Sequence, residues 1–151
     1  MIKNDVLRRV RYILDYGDNK MIEVFGLAGL DVSRELLSRW LKKDDDPAYK
    51  SCKDVELATF LNGLIIDKRG RREGEQPEPE KVLSNNLIFR KLTIAFNLRT
   101  DDVLDILTLV DLRVSKHELS AFFRKPEHKN YRECKAQILR NFLHGLQLKM
   151  R

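Results

Sequence analysis

Cysteine is scarce in this sequence, and its scarcity excludes one large class of small proteins. The chain has 151 residues but only two cysteines, Cys52 and Cys134, and neither belongs to a Cys-x-x-Cys motif. Two cysteines cannot form the disulfide framework that stabilises small secreted domains. We interpret both as buried, reduced thiols, because a free cysteine packs as a small apolar residue.

Long apolar runs are absent as well. No stretch approaches the ~20 apolar residues that a membrane-spanning helix requires. The N-terminal segment MIKNDVLRRVRYIL mixes charged with apolar residues, which a secretory signal does not. Apolar residues still make up 42% of the chain and charged residues 34%, a composition typical of a globular domain. The sequence therefore predicts a cytoplasmic protein with no membrane partner.

Catalytic and cofactor-binding motifs are also missing. The three histidines, His117, His128 and His144, lack the tight local spacing of zinc ligands. The segment GRREGE lacks the Lys-Ser/Thr pair of a phosphate-binding loop. His128 precedes Cys134 by six residues, which leaves a Cys–His nucleophile as an alternative. We expect no metal, no cofactor and no enzymatic activity.

An internal repeat is the strongest signal that the sequence does contain. When the chain is aligned with itself at an offset of 82 residues, Asn4 falls on Asn86 and the register continues without a gap. Identical pairs include Leu27/Leu109, Ser33/Ser115, Leu37/Leu119, Tyr49/Tyr131, Cys52/Cys134, Phe60/Phe142 and Gly63/Gly145. One constant offset is the signature of a tandem duplication. We predict a first helical repeat over residues 4–69, a linker rich in Gly, Pro and charge over 70–84, and a second helical repeat over 85–151.

The apolar residues of both copies recur with the period of a helix. In the first segment they form a single stripe, at Val6, Leu7, Val10, Ile13 and Leu14. The second helix of each copy is predicted over residues 19–28 and 101–110. No segment alternates long enough to predict a strand. The sequence therefore predicts an all-α fold: a tandem duplication of a four-helix unit, with the two copies packed about a pseudo-twofold axis.

Polar residues mark where several of these helices should begin. Asn4 and Asn86 stand just before the first apolar stripes, at the position of an N-cap. Ser33 and Ser115 precede the third helices in the same way. The segment SKHE at 115–118 also matches a capping box, in which Ser and Glu each bond a free helix amide.

A glycine interrupts the fourth predicted helix of each copy, at Gly63 and Gly145. Glycine inside a helix costs ~1 kcal/mol relative to alanine. Because both copies carry it, we predict that this helix makes a close contact with a neighbouring helix.

Three segments give the chain a family resemblance: NDVLRRVRYIL, WLKKDDDPAYKSCKDVELATFLNGLIIDKRG and PEHKNYRECKAQILRNFLHGL. They are similar to the YehS-like bacterial proteins, small chains that carry a duplicated domain of unknown function (domain of unknown function 1456). The resemblance covers essentially the whole chain. It implies a bacterial protein with two copies of one domain, and it implies no reaction, cofactor or ligand.

Positive charge is concentrated in the second copy. The chain carries a net charge of +6, with 13 Lys+Arg and 7 Asp+Glu in residues 85–151 against 13 and 12 in residues 1–69. The segment RKPEHKNYREC places an aromatic residue among cations, a pattern that can hold phosphates or bases. The alternative is a solvated basic surface in which Tyr131 is buried, as its repeat partner Tyr49 would be.

Residues 30–43 and 112–125 resemble the turn and second helix of a helix-turn-helix. The turn, where glycine is usual, holds Asp31 and Arg113 instead. The candidate nucleic-acid-binding residues are Arg34, Arg39, Lys42, Lys43, Lys116, Arg124, Lys125, Lys129 and Arg132. Our first expectation is nevertheless a non-enzymatic binding or regulatory protein that acts as a protein-interaction module. Nucleic-acid binding through these two segments is the alternative.

Overall fold

In the computed structural model, which describes residues 1–151, the chain forms eight α-helices and no β-strand. The helices are α1 (Lys3–Leu14), α2 (Asp18–Leu27), α3 (Arg34–Trp40), α4 (Asp54–Arg69), α5 (Asn85–Ala95), α6 (Thr100–Thr108), α7 (Lys116–Phe122) and α8 (Ala136–Met150). None of them combines the length and the apolar content needed to cross a membrane. The predicted all-α fold is confirmed.

The helices divide into two compact units, Met1–Leu83 with α1–α4 and Ser84–Arg151 with α5–α8. Each helix has its counterpart at the offset of the repeat, as shown by α3 and α7, which begin at Arg34 and Lys116. The predicted duplication of a four-helix unit is confirmed. Residues 70–83 are part of the first unit, so the segment between the repeats packs with the first copy.

Serine side chains fix the start of the third helix in each unit, as predicted. Ser33 Oγ accepts the amide of Leu36 at 3.0 Å, and Ser115 Oγ accepts the amide of Glu118 at 3.0 Å. Glu118 returns the bond by accepting the Ser115 amide at 3.2 Å, which completes the capping box. These bonds from Ser115 hold the pKa of the Glu118 carboxyl below its usual range.

The N-cap prediction for Asn4 and Asn86 is wrong. The N-cap positions are Ile2 and Ser84, and both asparagines lie inside the first turn of α1 and α5. Their side chains are buried and turn away from their own helix toward the end of α3 or α7. A sequence pattern cannot separate these two roles, because asparagine supplies the same donor and acceptor to either.

Each asparagine cross-links three parts of its unit. Asn4 Nδ2 donates to the carbonyls of Trp40 and Lys50, both at 2.9 Å, while its Oδ1 accepts the Cys52 amide at 2.9 Å. In the second unit, Asn86 makes the same three bonds at the equivalent positions, to Phe122, Arg132 and Cys134, at 2.8–2.9 Å. The first helix, the end of the third and the segment before the fourth are thereby tied together.

Aromatic rings fill the centre of each unit. The central phenylalanine lies on a different helix in each copy, and a leucine takes its place at the repeated position. Phe25 on α2 contacts Trp40 and Phe60, with ring centroids 5.4 and 5.0 Å apart. In the second unit the central ring is Phe89 on α5, 4.6 Å from Phe142. The repeat partner of Phe25 is Leu107 and that of Phe89 is Leu7, so the exchange preserves the volume of the core, which keeps such changes tolerable.

The predicted close contacts at the two helical glycines are confirmed. A Cβ placed on Gly63 of α4 would lie 2.0 Å from the carbonyl oxygen of Val24 on α2. A Cβ on Gly145 of α8 would lie 2.4 Å from the carbonyl oxygen of Ile106 on α6. Backbone meets backbone at both crossings, so no side chain larger than hydrogen fits there.

We expect Gly63→Ala to lower the free energy of unfolding by about 1–3 kcal/mol, because the added methyl group overpacks the α2–α4 crossing. Gly26→Ala is the matched control: it lies on α2 with nothing within 4 Å of its added Cβ. It should raise the stability by up to ~1 kcal/mol through helix propensity. Urea unfolding followed by the fluorescence of Trp40, the one tryptophan, measures both. Equal effects of the two substitutions would contradict the crossing.

Candidate functional site

The two segments that resemble a helix-turn-helix fold as short helical hairpins with long connections. Residues 28–33 join α2 to α3, and residues 109–115 join α6 to α7. The sharp turn is made at Gly29, with φ of 93°, and at Asp111, with φ of 58°. The turn was predicted at Asp31 and Arg113, but in the structure it lies two residues earlier in each unit. A connection of six or seven residues is longer than the three or four of a typical helix-turn-helix.

The candidate cations at the start of α3 and α7 face carboxylates of the preceding helix. Arg34 donates to the side chain of Asn19 and lies 3.9 Å from Asp18. Lys116 lies 3.3 Å from Asp101. In DNA-binding helix-turn-helix proteins this end of the second helix contacts the bases. Here its positive charge is partly balanced within the unit.

The other candidate residues of the first unit lie in a neutral environment. Arg39 Nε donates to the carbonyl of Ala48 at 3.2 Å. Lys42 and Lys43 are exposed at the end of α3, and the acidic run Asp44–Asp46 follows them directly. These residues do not form a continuous positive surface.

The candidate residues of the second unit gather beside one cleft. It has a volume of about 700 Å³ and lies between the start of α5, the end of α7 and the loop that follows α7. Its cations are Arg90, Arg124 and Lys125, and its aromatic wall includes Phe123 and Tyr131. We call this the basic cleft.

Lys129 and Arg132 lie on the same loop but outside the lining of the basic cleft. Lys129 is exposed, and Arg132 points toward Glu118, with 3.5 Å between the nitrogen and the carboxylate oxygen. Of the nine candidate residues, Arg124 and Lys125 therefore line the cleft, and these two flank it.

Arg90 is a cleft residue that sequence reasoning missed. Its repeat partner Arg8 bonds the carboxylate of Asp5 and also donates to the Lys42 carbonyl at 2.9 Å. The second unit has Leu87 in place of Asp5, so Arg90 keeps only the carbonyl bond, to Phe123 at 3.2 Å. The change from Asp to Leu at the repeated position was the signal that could have revealed it.

The same surface is neutral in one unit and basic in the other. Positions 5, 8 and 42–50 of the first unit carry four cations and four carboxylates. The equivalent positions 87, 90 and 124–132 carry five cations and one carboxylate. The loop makes equivalent backbone hydrogen bonds in both units, so the charge difference arises from side-chain substitution.

His128 stabilises its loop in the same way as its repeat partner Asp46 does in the first unit, by accepting a backbone amide two residues further on. Asp46 Oδ1 accepts the amide of Ala48 at 2.8 Å, and His128 Nδ1 accepts the amide of Asn130 at 3.0 Å. The other ring nitrogen, Nε2, lies 3.5 Å from Arg124. The imidazole therefore supports the loop at the mouth of the cleft and contributes a polar edge there.

The two cysteines are buried at equivalent positions, 3% and 1% exposed, as the sequence analysis predicted. Burial raises the pKa of both the Cys52 and the Cys134 thiol to about 12. Cys134 Sγ lies 3.7 Å from the carbonyl oxygen of Lys135, whereas His128 bonds within its own loop. A protonated thiol is a poor nucleophile, because the thiolate is the reactive form. No group of three or more His, Cys, Asp or Glu side chains is placed to hold a metal ion.

The two helical units coincide with two matches to one known protein family. The model of a protein family described as a protein of unknown function (DUF1456) matches residues 3–70 and 85–151, one segment in each unit. The chain therefore belongs to this family, as its resemblance implied. It is 46% identical over 147 residues to the uncharacterized protein YehS of Escherichia coli (strain K12), across 97% of this chain and 94% of that protein. No solved structure matches the chain.

At pH 8, both cysteines should react with Ellman's reagent far more slowly in the folded protein than in the chain unfolded by guanidinium. A thiol with a pKa of about 12 is ionised in only about one molecule in ten thousand at this pH, and the raised value persists only while burial does. Ser120→Cys, on the exposed side of α7, supplies a matched surface thiol. Reaction of Cys134 as fast as that surface thiol would contradict the assignment.

Proposed function

We propose that this protein is a non-catalytic, cytoplasmic binding protein whose second unit binds single-stranded nucleic acid in the basic cleft. The convergence of Arg90, Arg124 and Lys125 on one concave surface carries the proposal. Cations that track phosphates, together with aromatic rings that stack on bases, are the usual components of such a surface. Phe123 and Tyr131 lie in the wall beside these cations, both partly exposed.

Single strands fit this arrangement better than duplex DNA does. The cations lie in a cleft, on α5 and on the loop that follows α7, rather than along a protruding helix. The helix starts, which would enter a major groove, carry Arg34 and Lys116 beside carboxylates. A cleft admits a flexible strand with unstacked bases, whereas a duplex needs an exposed helix that reaches its groove.

A binding role without catalysis is supported by the chemistry of the cleft. Its lining offers guanidinium and ammonium groups, which suit the binding of an anion, against a single carboxylate, Glu127. The buried, protonated thiols and their lack of a disulfide are typical of a reducing compartment, which supports a cytoplasmic location.

Replacing both Arg124 and Lys125 by alanine should weaken binding of a fluorescein-labelled single-stranded RNA of about 20 nucleotides by roughly ten-fold or more. It should also reduce the slope of log affinity against log salt by about 1.4, because each lost phosphate contact removes about 0.7. Fluorescence anisotropy between about 50 and 200 mM salt measures both quantities.

Lys42→Ala with Lys43→Ala is the matched control, because these residues occupy the equivalent positions of the first unit. This variant should retain the affinity of the unaltered protein within about two-fold, since the acidic run already balances its charge. Equal losses from the two double variants would contradict the cleft. Tighter binding of a duplex than of a single strand would favour the helix-turn-helix interpretation instead.

A second candidate function, docking of an extended segment from a protein partner, is favoured by an apolar surface on the second unit. Leu109 and Leu148 are each 52% exposed. Their repeat partners Leu27 and Ile66 line one common cavity and are partly covered by the chain that follows α4. A surface that one unit covers with an extended segment can accept a similar segment in the other.

If this surface binds a protein, Leu109→Asp with Leu148→Asp should abolish a complex that survives purification at about 0.5 M salt, since apolar contacts resist screening. Ile94→Asp, at an exposed apolar residue of α5, is the control and should leave the complex intact. Loss of the complex on Arg124→Ala with Lys125→Ala would assign the partner to the basic cleft and contradict this surface.

A further inference from the structure

An apolar cavity in the first unit lies apart from the basic cleft. It has a volume of about 350 Å³, within the range of about 300–1,000 Å³ that small-molecule sites occupy. Its walls are the end of α2, the second half of α4 and the chain segment that follows α4. The apolar lining residues include Leu27, Ala28, Ile65, Ile66 and Pro77.

The cavity exists because small residues stand at the end of α2. Gly26 and Ala28 line it, and a Cβ on Gly26 would meet nothing within 4 Å. The equivalent residues of the second unit are the larger Thr108 and Val110. The first copy alone therefore carries the residues that leave this space open.

The segment after α4 is held over the cavity by bonds of its own. Arg71 Nη2 donates to the Leu27 carbonyl at 3.1 Å, across the end of α2. Arg72 Nε donates to the Glu75 carbonyl at 2.9 Å, and Gln76 Nε2 donates to the Arg72 carbonyl at 2.7 Å. These bonds turn the segment back on itself, so that it covers the cavity as a roof.

The polar groups of the cavity favour an anionic head group. Arg71 donates to a carbonyl at the negative end of α2, which reduces the repulsion that this end would exert on an anion. The terminal nitrogens of Arg72 make no hydrogen bond within the chain, although Arg72 lines the cavity. A guanidinium fork of this kind matches a carboxylate in geometry and charge.

We propose that the first unit binds a small monocarboxylate with an apolar body in this cavity. The apolar body lies between the ends of α2 and α4, and the carboxylate faces Arg72. The inference is independent of the nucleic-acid proposal, which concerns the other unit.

Octanoate is the probe, and ¹⁵N-labelled protein is titrated with it while amide chemical shifts are recorded. The shifts should be confined to residues around the cavity, and octan-1-ol should bind about ten-fold more weakly because it lacks the charge-assisted bond. Arg72→Gln should reduce octanoate binding to the level of octanol. The control Arg69→Gln, at an exposed residue that does not line the cavity, should leave it unchanged.

Substitutions that fill the cavity test whether its apolar space is needed for binding, separately from the positive charge of Arg72. Gly26→Thr with Ala28→Val installs the residues of the second unit and should weaken octanoate binding about ten-fold or more, since the apolar body loses its space. The proposal is overturned if octanoate causes no shifts at millimolar concentration, if its shifts lie elsewhere, or if octanol binds as tightly. If the filled variant fails to fold, the octanoate affinities of Arg72→Gln and Arg69→Gln test the proposal by themselves.

Discussion

The rest of each unit depends on one buried amide side chain. Asn4 and Asn86 join the first helix to backbone groups at the end of the third helix and before the fourth, none of which has a partner within a helix. Leaving such buried groups unsatisfied costs about 1–3 kcal/mol each. A single asparagine satisfies three of them at once, and this explains why the loop between the third and fourth helices has one shape in both units. In the second unit the Arg132 carbonyl is one of these groups, so Asn86 also holds the loop of the basic cleft in place.

A constant framework leaves the surfaces of the two units free to diverge. The crossings at Gly63 and Gly145 and the asparagine cross-links are common to both copies, so changes outside them need not disturb the fold. The basic cleft arises where Leu87 replaces an acidic residue of the first copy, which leaves Arg90 without a carboxylate. The apolar cavity arises in the opposite copy, where small residues end α2. Each unit thus carries a candidate site formed by residues that differ in the other copy.

Most of the fold could be predicted because its determinants are local or repeated. The helical period, the serine caps and the mid-helix glycines each leave a short-range pattern, and the offset of the repeat reinforces every pattern by showing it twice. The candidate site was predicted less completely. Arg124 and Lys125 were found from the charge of their segment, but Arg90 was missed because it is distant in sequence and its environment depends on Leu87. The N-cap assigned to Asn4 failed for a related reason: its bonding partners lie 36 to 48 residues away.

The sequence by itself determined the helical class, the duplication and the excess of positive charge in the second copy, because periodicity, repetition and charge are properties of residues in order. Only the tertiary structure decided which cations meet around a cleft, which are balanced by carboxylates, and where an unfilled space remains. Arg34 and Arg124 look alike in the sequence, yet the first faces Asp18 and the second lines the cleft. Electrostatic pairing and packing act over a few ångströms through space, and chain folding sets those distances independently of separation along the sequence.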